Sequence, residues 1–255
     1  MPETVLAAQM YTVREFCKTP QGIAESLKKV RAMGYEAVQL SGLGPIETDE
    51  LRRICDGEGL TICATHVNFE TLRDETEAQI EYHKAIGCEN PAIGSLPGDC
   101  RGSGEGFARF AKEADVVGEK LAKAGLTFSY HNHSFELERF DGRVGLDIIY
   151  GGTRPETLKA ELDTYWIQHG GGDPAAWIDK LSDRIVLLHL KDMTMHGREQ
   201  FFAEIGEGNL NWERILESAK AAGTRWYIVE QDRCERDPFE SLEISLKNLK
   251  DMGLS

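Results

Sequence analysis

Short runs of β-branched and apolar residues alternate along this chain with longer stretches whose apolar positions recur at helical spacing. The alternation repeats at intervals of roughly 25 to 35 residues from one end to the other, the mark of βα units with parallel strands. Strands are predicted at Val5–Tyr11, Ala37–Leu40, Leu60–Thr65, Pro91–Ile93, Thr127–His131, Leu158–Asp163, Ile185–Leu190 and Trp226–Val229. The first helix starts behind Thr19, an N-cap followed by Pro20, carries Ile23, Leu27, Val30 and Met33 on one face and stops at Gly34. Further helices are expected over Thr48–Gly59, Leu72–Ile86, Glu105–Ala124, Leu146–Tyr150, Pro174–Leu181, Trp212–Ala222 and Pro238–Met252, several of them closed by a glycine.

Eight strands with intervening helices, and no Pro/Gly/Ser-rich linker, predict an α/β fold made of one (β/α)8 barrel domain spanning residues 1–255. A doubly wound open sheet is the competing architecture. Its glycine fingerprint is missing, because the first strand runs into Gln9-Met10-Tyr11-Thr12. The length of 255 residues, 41% of them hydrophobic, suffices for one large core.

The net charge of −14 argues against a nucleic-acid backbone or an anionic membrane as partner, since both attract Lys and Arg. The apolar runs are strand-sized, far short of the roughly 20 residues that cross a bilayer. Met1–Tyr11 lacks the basic stretch and long apolar run of a secretory signal, and the six cysteines include no C-x-x-C pair, so reduced thiols and a cytoplasmic location are expected.

Catalytic groups of such barrels come from the C-terminal ends of the strands, which makes polar residues ending apolar runs informative. The fifth to eighth strands end in Tyr130-His131-Asn132-His133, Glu161-Leu162-Asp163-Thr164, Leu188-His189-Leu190-Lys191-Asp192 and Val229-Glu230-Gln231-Asp232. Each supplies an imidazole or a carboxylate. Side-chain alternation lets each strand aim one of them into the barrel mouth, and His131, Asp163, His189 and Glu230 are the predicted metal ligands. Two imidazoles and two carboxylates suit Mn, Co, Fe or Zn better than Mg, and leave positions for substrate oxygens. Singly, each has a blander reading: Asp163 as a cap after its strand, Glu230 as a partner of Arg225 or Arg233, His189 as a structural histidine. His133 competes with His131, differing only in the phase of the strand. Lys191, His66, Gln9 and His133 are the expected substrate contacts. His83 and His169 read as surface residues, and Glu207 in Gly206-Glu207-Gly208-Asn209 is a weaker candidate at the mouth.

With Gly34-Tyr35-Glu36-Ala37-Val38-Gln39-Leu40, Leu162-Asp163-Thr164-Tyr165-Trp166 and Gly206-Glu207-Gly208-Asn209-Leu210-Asn211-Trp212, these strand-end strings resemble the xylose-isomerase-like barrel superfamily, the sugar phosphate isomerase/epimerase group. The resemblance covers nearly the whole chain. It implies a metal held by Glu, Asp, His and Glu from strands five to eight, the last three falling on Asp163, His189 and Glu230. The first departs, because His131 stands where a glutamate is usual. Family isomerases use the two glutamates as opposed acid/base groups, so here either His131 takes over that work or the reaction is one-sided. Gln39 likewise stands where a glutamate is frequent.

The resulting expectation is a metal-dependent isomerase or epimerase of a sugar or keto-sugar, with Glu230 and His131 as acid/base groups and a small carbohydrate as partner. A homo-oligomer is compatible with everything above. An inosose dehydratase or 3-keto-glycoside lyase is the alternative enzyme, and a non-catalytic sugar-binding barrel the alternative of another class. Endonuclease chemistry fits poorly, since it resembles a three-metal site with more histidines and a basic surface.

Overall fold

A computed structural model describes residues 4–254. The extreme ends of the expected domain, including the first three residues of the Met1–Tyr11 segment, lie outside the described residues. Eight strands close into a barrel: β1 (Val5–Gln9), β2 (Ala37–Leu40), β3 (Thr61–His66), β4 (Pro91–Ile93), β5 (Ser129–His131), β6 (Lys159–Asp163), β7 (Ile185–Leu190) and β8 (Trp226–Val229). They pair in sequence order, β8 closing on β1, and every barrel pairing is parallel. The (β/α)8 barrel is therefore the fold.

Around the barrel run α1 (Pro20–Met33), α2 (Thr48–Glu58), α3 (Phe69–Asp74), α4 (Thr76–Ile86), α5 (Gly104–Lys123), α6 (Gly145–Gly151), α7 (Thr164–His169), α8 (Pro174–Lys180), α9 (Trp212–Ala222) and α10 (Pro238–Asp251). Local chemistry explains their ends. Thr19 caps α1 by accepting from the Gly22 amide at 3.1 Å, and Gly34 ends it at φ +109°, a conformation costly for a residue with a Cβ.

Side-chain alternation sorts the strands into two apolar sets. The larger lies between sheet and helices, with Leu6, Val38, Tyr130, Leu188 and Val229 packed against residues such as Leu27, Phe110 and Leu246. The smaller comprises Ala7, Ala37, Cys63, Ala64, Leu187, Trp226 and Ile228, the inward positions of the lower barrel. Two residues further along the same strands the inward positions turn polar: Gln9 above Ala7, Gln39 above Ala37, His189 above Leu187 and Glu230 above Ile228. The barrel thus has an apolar floor and a charged upper layer.

Several segments depart from the predicted pattern. β1 ends at Gln9, and Met10–Phe16 turns into a 3-10 segment, its first amides drawn back by Gln9, whose Oε1 accepts from the Tyr11 amide at 3.3 Å. The helix expected over Leu72–Ile86 starts earlier and is split at Glu75, which has φ −122° and ψ 35°. After β7, Asp192–His196 and Glu199–Ala203 form an antiparallel hairpin where a loop is expected.

Asp192 explains the glycine-rich string that follows. Its buried carboxylate accepts from the amides of Met193 (2.8 Å), Gly206 (2.9 Å), Gly208 (3.1 Å) and Leu210 (3.2 Å) and from the Trp212 indole (2.6 Å). A Cβ on Gly208 would lie 2.3 Å from Asp192 Oδ1, so the loop wraps this carboxylate only with glycine there. Asp192→Ala would leave several buried donors without an acceptor, each costing on the order of 1–3 kcal/mol. The expected outcome is a loss of at least about 3 kcal/mol in urea unfolding, against about 1 kcal/mol for Trp212→Phe, which forfeits one hydrogen bond.

Candidate active site

The strand ends bring His131, Asp163, His189 and Glu230 together, with one ligand atom from each lying within 4.8 Å of the others. All four are buried. His131 Nε2 is 3.2 Å from Asp163 Oδ2, and His189 Nδ1 is 3.0 Å from Glu230 Oε2 and 3.8 Å from Asp163 Oδ2. The geometry separates His131 from its rival: His131 faces Asp163, whereas His133 sits to one side with its ring against Phe135 and Trp166. The other nitrogen of His131, Nδ1, lies 3.0 Å from the Gly94 carbonyl, which can only accept, so Nδ1 carries a hydrogen and the ring is held with Nε2 towards Asp163.

Both carboxylate oxygens of Asp163 are engaged. Oδ1 accepts from the Trp166 amide at 2.8 Å and caps α7, a helix the apolar pattern does not predict, while Oδ2 faces the cluster. Glu230 pairs with neither Arg225 nor Arg233; its partners are His189 and Lys191.

Glu161 is the residue that strand-end reasoning passed over. It points inward two positions before Asp163, fully buried, and takes hydrogen bonds from Gln39 Nε2 (2.6 Å) and His66 Nε2 (3.0 Å), with His189 Nε2 at 2.9 Å. Period-two alternation would have found it, since Asp163 facing inward obliges Glu161 to do the same. Gln39 Oε1 lies 2.6 Å from the same His189 nitrogen. Glu161 and Gln39 thus fix the His189 ring from behind and turn Nδ1 towards Asp163 and Glu230, the arrangement by which a carboxylate orients a metal-binding imidazole.

Lys191, two residues after His189, also points inward and is fully buried. Its ammonium lies 3.0 Å from Asp163 Oδ2, 2.7 Å from Glu230 Oε2 and 2.7 Å from Asp232 Oδ2.

Burial opposes charge on every one of these groups, and the mutual pairing outweighs it at His189, Asp163 and Glu230. Against its own burial, Glu161 and Glu230 raise His189 to about 10. Burial is likewise outweighed at Asp163 by Lys191 and His131, and at Glu230 by Lys191 and His189, so both carboxyls are held below their ordinary values. Burial, helped by Glu230, pushes Asp232 up. Burial lowers His133 to about 3.

A cavity of about 900 Å³ opens above the cluster, lined by His66, His131, His133, Trp166, Glu230 and Asp232 among others. Of the expected substrate contacts, His66 and His133 reach it. Lys191 lies below its floor, and Gln9 is buried in the barrel with Nε2 unpartnered. His133 Nδ1 and Trp166 Nε1 are buried without a partner beside the cavity. Phe202 of the hairpin packs on Trp166 and Tyr165 and completes an aromatic wall. His83 is buried, contrary to the expected surface position, and its Nε2 pairs with Thr65 Oγ1 at 2.7 Å. Glu207 turns away to Arg236.

The sequence model of the xylose isomerase-like TIM barrel family matches residues 27–252. The chain belongs to this family. Among curated relatives, it is 24% identical over 268 residues to the rhizopine catabolism protein MocC of Rhizobium meliloti, covering 91% of this chain and 82% of that one. It is 26% identical over 157 residues to an inosose dehydratase of Lactiplantibacillus plantarum, covering 54% and 52%. A solved sugar phosphate isomerase/epimerase from Parabacteroides distasonis superposes with a TM-score of 0.83 at 22% identity, covering 100% of this chain and 96% of the other. A curated relative is thus an inosose dehydratase by name, and the likeness to the solved isomerase/epimerase shows the shared fold. No helix among the described residues is long and apolar enough to cross a membrane.

Two predictions follow from the pairing. His189 is raised above its ordinary value of 6.5, so its contribution to the stability of metal-free protein is complete below that pH and disappears as pH rises through about 10. Thermal melts of chelator-treated protein, followed from pH 6 to 10, should therefore show a decline that Glu161→Gln makes smaller. Were the cluster to hold Mn²⁺, Glu161→Gln should weaken that binding by about 10–100-fold in calorimetric titration, as loss of an orienting carboxylate does.

Proposed function

We propose that this barrel is a divalent-metal-dependent enzyme that removes a proton next to the carbonyl of a sugar or keto-sugar, giving isomerisation or epimerisation. The observation that carries this reading is the convergence of His131, Asp163, His189 and Glu230 beneath an open cavity at the barrel mouth. Membership of a family with sugar isomerase, epimerase and inosose dehydratase homologues supports it.

The donor set fits a divalent ion: two imidazole nitrogens and two carboxylate oxygens, buried, and close enough to surround one centre. Imidazole donors favour Mn, Co, Fe or Zn over Mg. Bound there, the ion would act as a Lewis acid that neutralises charge developing on the substrate's carbonyl oxygen. Glu230, which lines the cavity, is the group we assign to take the proton from the carbon beside that carbonyl. Because the Nδ1 hydrogen of His131 is committed to Gly94 and Nε2 faces Asp163, His131 acts as a ligand, and its expected share in proton transfer passes to Glu230. His66, His133 and Trp166 offer polar edges to hydroxyl groups, and the rings of Trp166 and Phe135, the first braced by Phe202, suit the C–H face of a sugar ring. The six free cysteines suit a reducing compartment, and we place the enzyme in the cytoplasm.

Elimination of water or a β-substituent from an inosose or 3-keto-glycoside is the second reading. It is favoured by the histidine at 131, which leaves Glu230 and Asp232 facing the cavity from the end of β8 and no carboxylate opposite them from β5. With Mn²⁺ present, a panel of aldoses, ketoses, inososes and 3-keto sugars should give solvent deuterium at the carbon next to the carbonyl in at least one member. An ultraviolet-absorbing enone would assign elimination, and an exchanged, unsaturation-free product isomerisation or epimerisation. No exchange with any member would sink the proposal. Glu230→Gln should lower kcat by about 10²–10⁴-fold on the substrate so found.

A further inference from the structure

The ammonium of Lys191 stands where the proposed ion would have to bind. It touches Asp163 Oδ2 at 3.0 Å and Glu230 Oε2 at 2.7 Å, the same two oxygens that face His131 Nε2 and His189 Nδ1. An ion about 2.0–2.2 Å from both oxygens would lie within a few ångströms of that ammonium, among buried groups where solvent screens the repulsion little. Lys191 has no exposed route of escape, being fully buried with the Trp166 and Phe202 rings each 5.7 Å away. One partner lies outside the ligand set: Asp232 Oδ2, 2.7 Å from Nζ, on a side chain that is 26% exposed and borders the cavity.

We propose that Lys191 is a resident cation of this site, that it and a divalent ion compete for Asp163 Oδ2 and Glu230 Oε2, and that Asp232 holds the ammonium when the ion takes those oxygens. The inference rests on the metal reading above and goes beyond it. In the metal-free protein Lys191 neutralises carboxylates that would otherwise repel one another inside the barrel, so the barrel can close before an ion arrives. In the loaded protein the same ammonium, drawn towards Asp232, stands at the cavity edge, where it can meet a substrate oxygen.

Mn²⁺ binding, measured by calorimetry at neutral pH on the full chain and its variants, tests this directly. Lys191→Met keeps the length of the side chain and removes the charge, and it should tighten Mn²⁺ binding at least tenfold. Its melting temperature should rise more on adding Mn²⁺ than that of the unsubstituted protein. Asp232→Asn, which retains Lys191 but weakens the alternative berth, should loosen Mn²⁺ binding several-fold; combined with Lys191→Met it should change little. The Asp232→Asn arm decides the matter even where Lys191→Met does not fold without metal. Equal or weaker Mn²⁺ binding by folded Lys191→Met, or unchanged binding by Asp232→Asn, overturns the competition while the metal site stands. Absence of Mn²⁺ binding in every folded variant overturns both the metal reading and this one.

Discussion

Buried charge inside the barrel constrains everything built above it. Glu161, Asp163 and Glu230 carry carboxylates into the buried interior of the barrel, where an isolated ionised group would cost far more than a domain's net stability. The chain meets this by packing cations among them: the His189 imidazole between Glu161 and Glu230, and the Lys191 ammonium against Asp163, Glu230 and Asp232. Each member is satisfied only because the others are present, so the arrangement behaves as one unit.

That unit exists because of how the strands are patterned. The inward positions of β7 read Leu187, His189, Lys191, and those of β8 read Trp226, Ile228, Glu230. Apolar residues fill the lower barrel and hold the strands in register, with Asp163 beside His189 and His189 beside Ile228. The polar layer inherits its geometry from the apolar one. The strained or close-packed pieces lie just outside it: the loop wrapped on Asp192 and the helix capped by Asp163 place the walls of the cavity relative to its floor.

This geometry also gives His131 its meaning. A glutamate at that position would add a further negative charge opposite Asp163. An imidazole fixed by the Gly94 carbonyl adds a nitrogen donor and no negative charge. The site therefore has fewer carboxylates than the resemblance implies for its family, and a single one, Glu230, both joins the cluster and faces the cavity from β8.

The amino-acid sequence by itself determined the barrel and most of its inward-facing chemistry. Period-two strands followed by capped, glycine-terminated helices leave little choice of architecture, and β2, β4, β7, β8 and α9 fall on their predicted bounds, because local patterning and tertiary packing agree there. Asp163, His189, Glu230 and one of two histidines after Tyr130 were legible at the mouth for the same reason: polar residues ending apolar strands can face little else. What only the tertiary structure decided were relations between strands. Whether His131 or His133 faces Asp163 depends on the phase of β5, and the burial of His83 on Thr65 of a neighbouring strand. The short helix after β6 and the hairpin after β7 depend on a carboxylate cap and a cross-strand pairing rather than on apolar period. The place of Lys191 depends on three carboxylates from two other strands, a convergence that no spacing along one chain encodes.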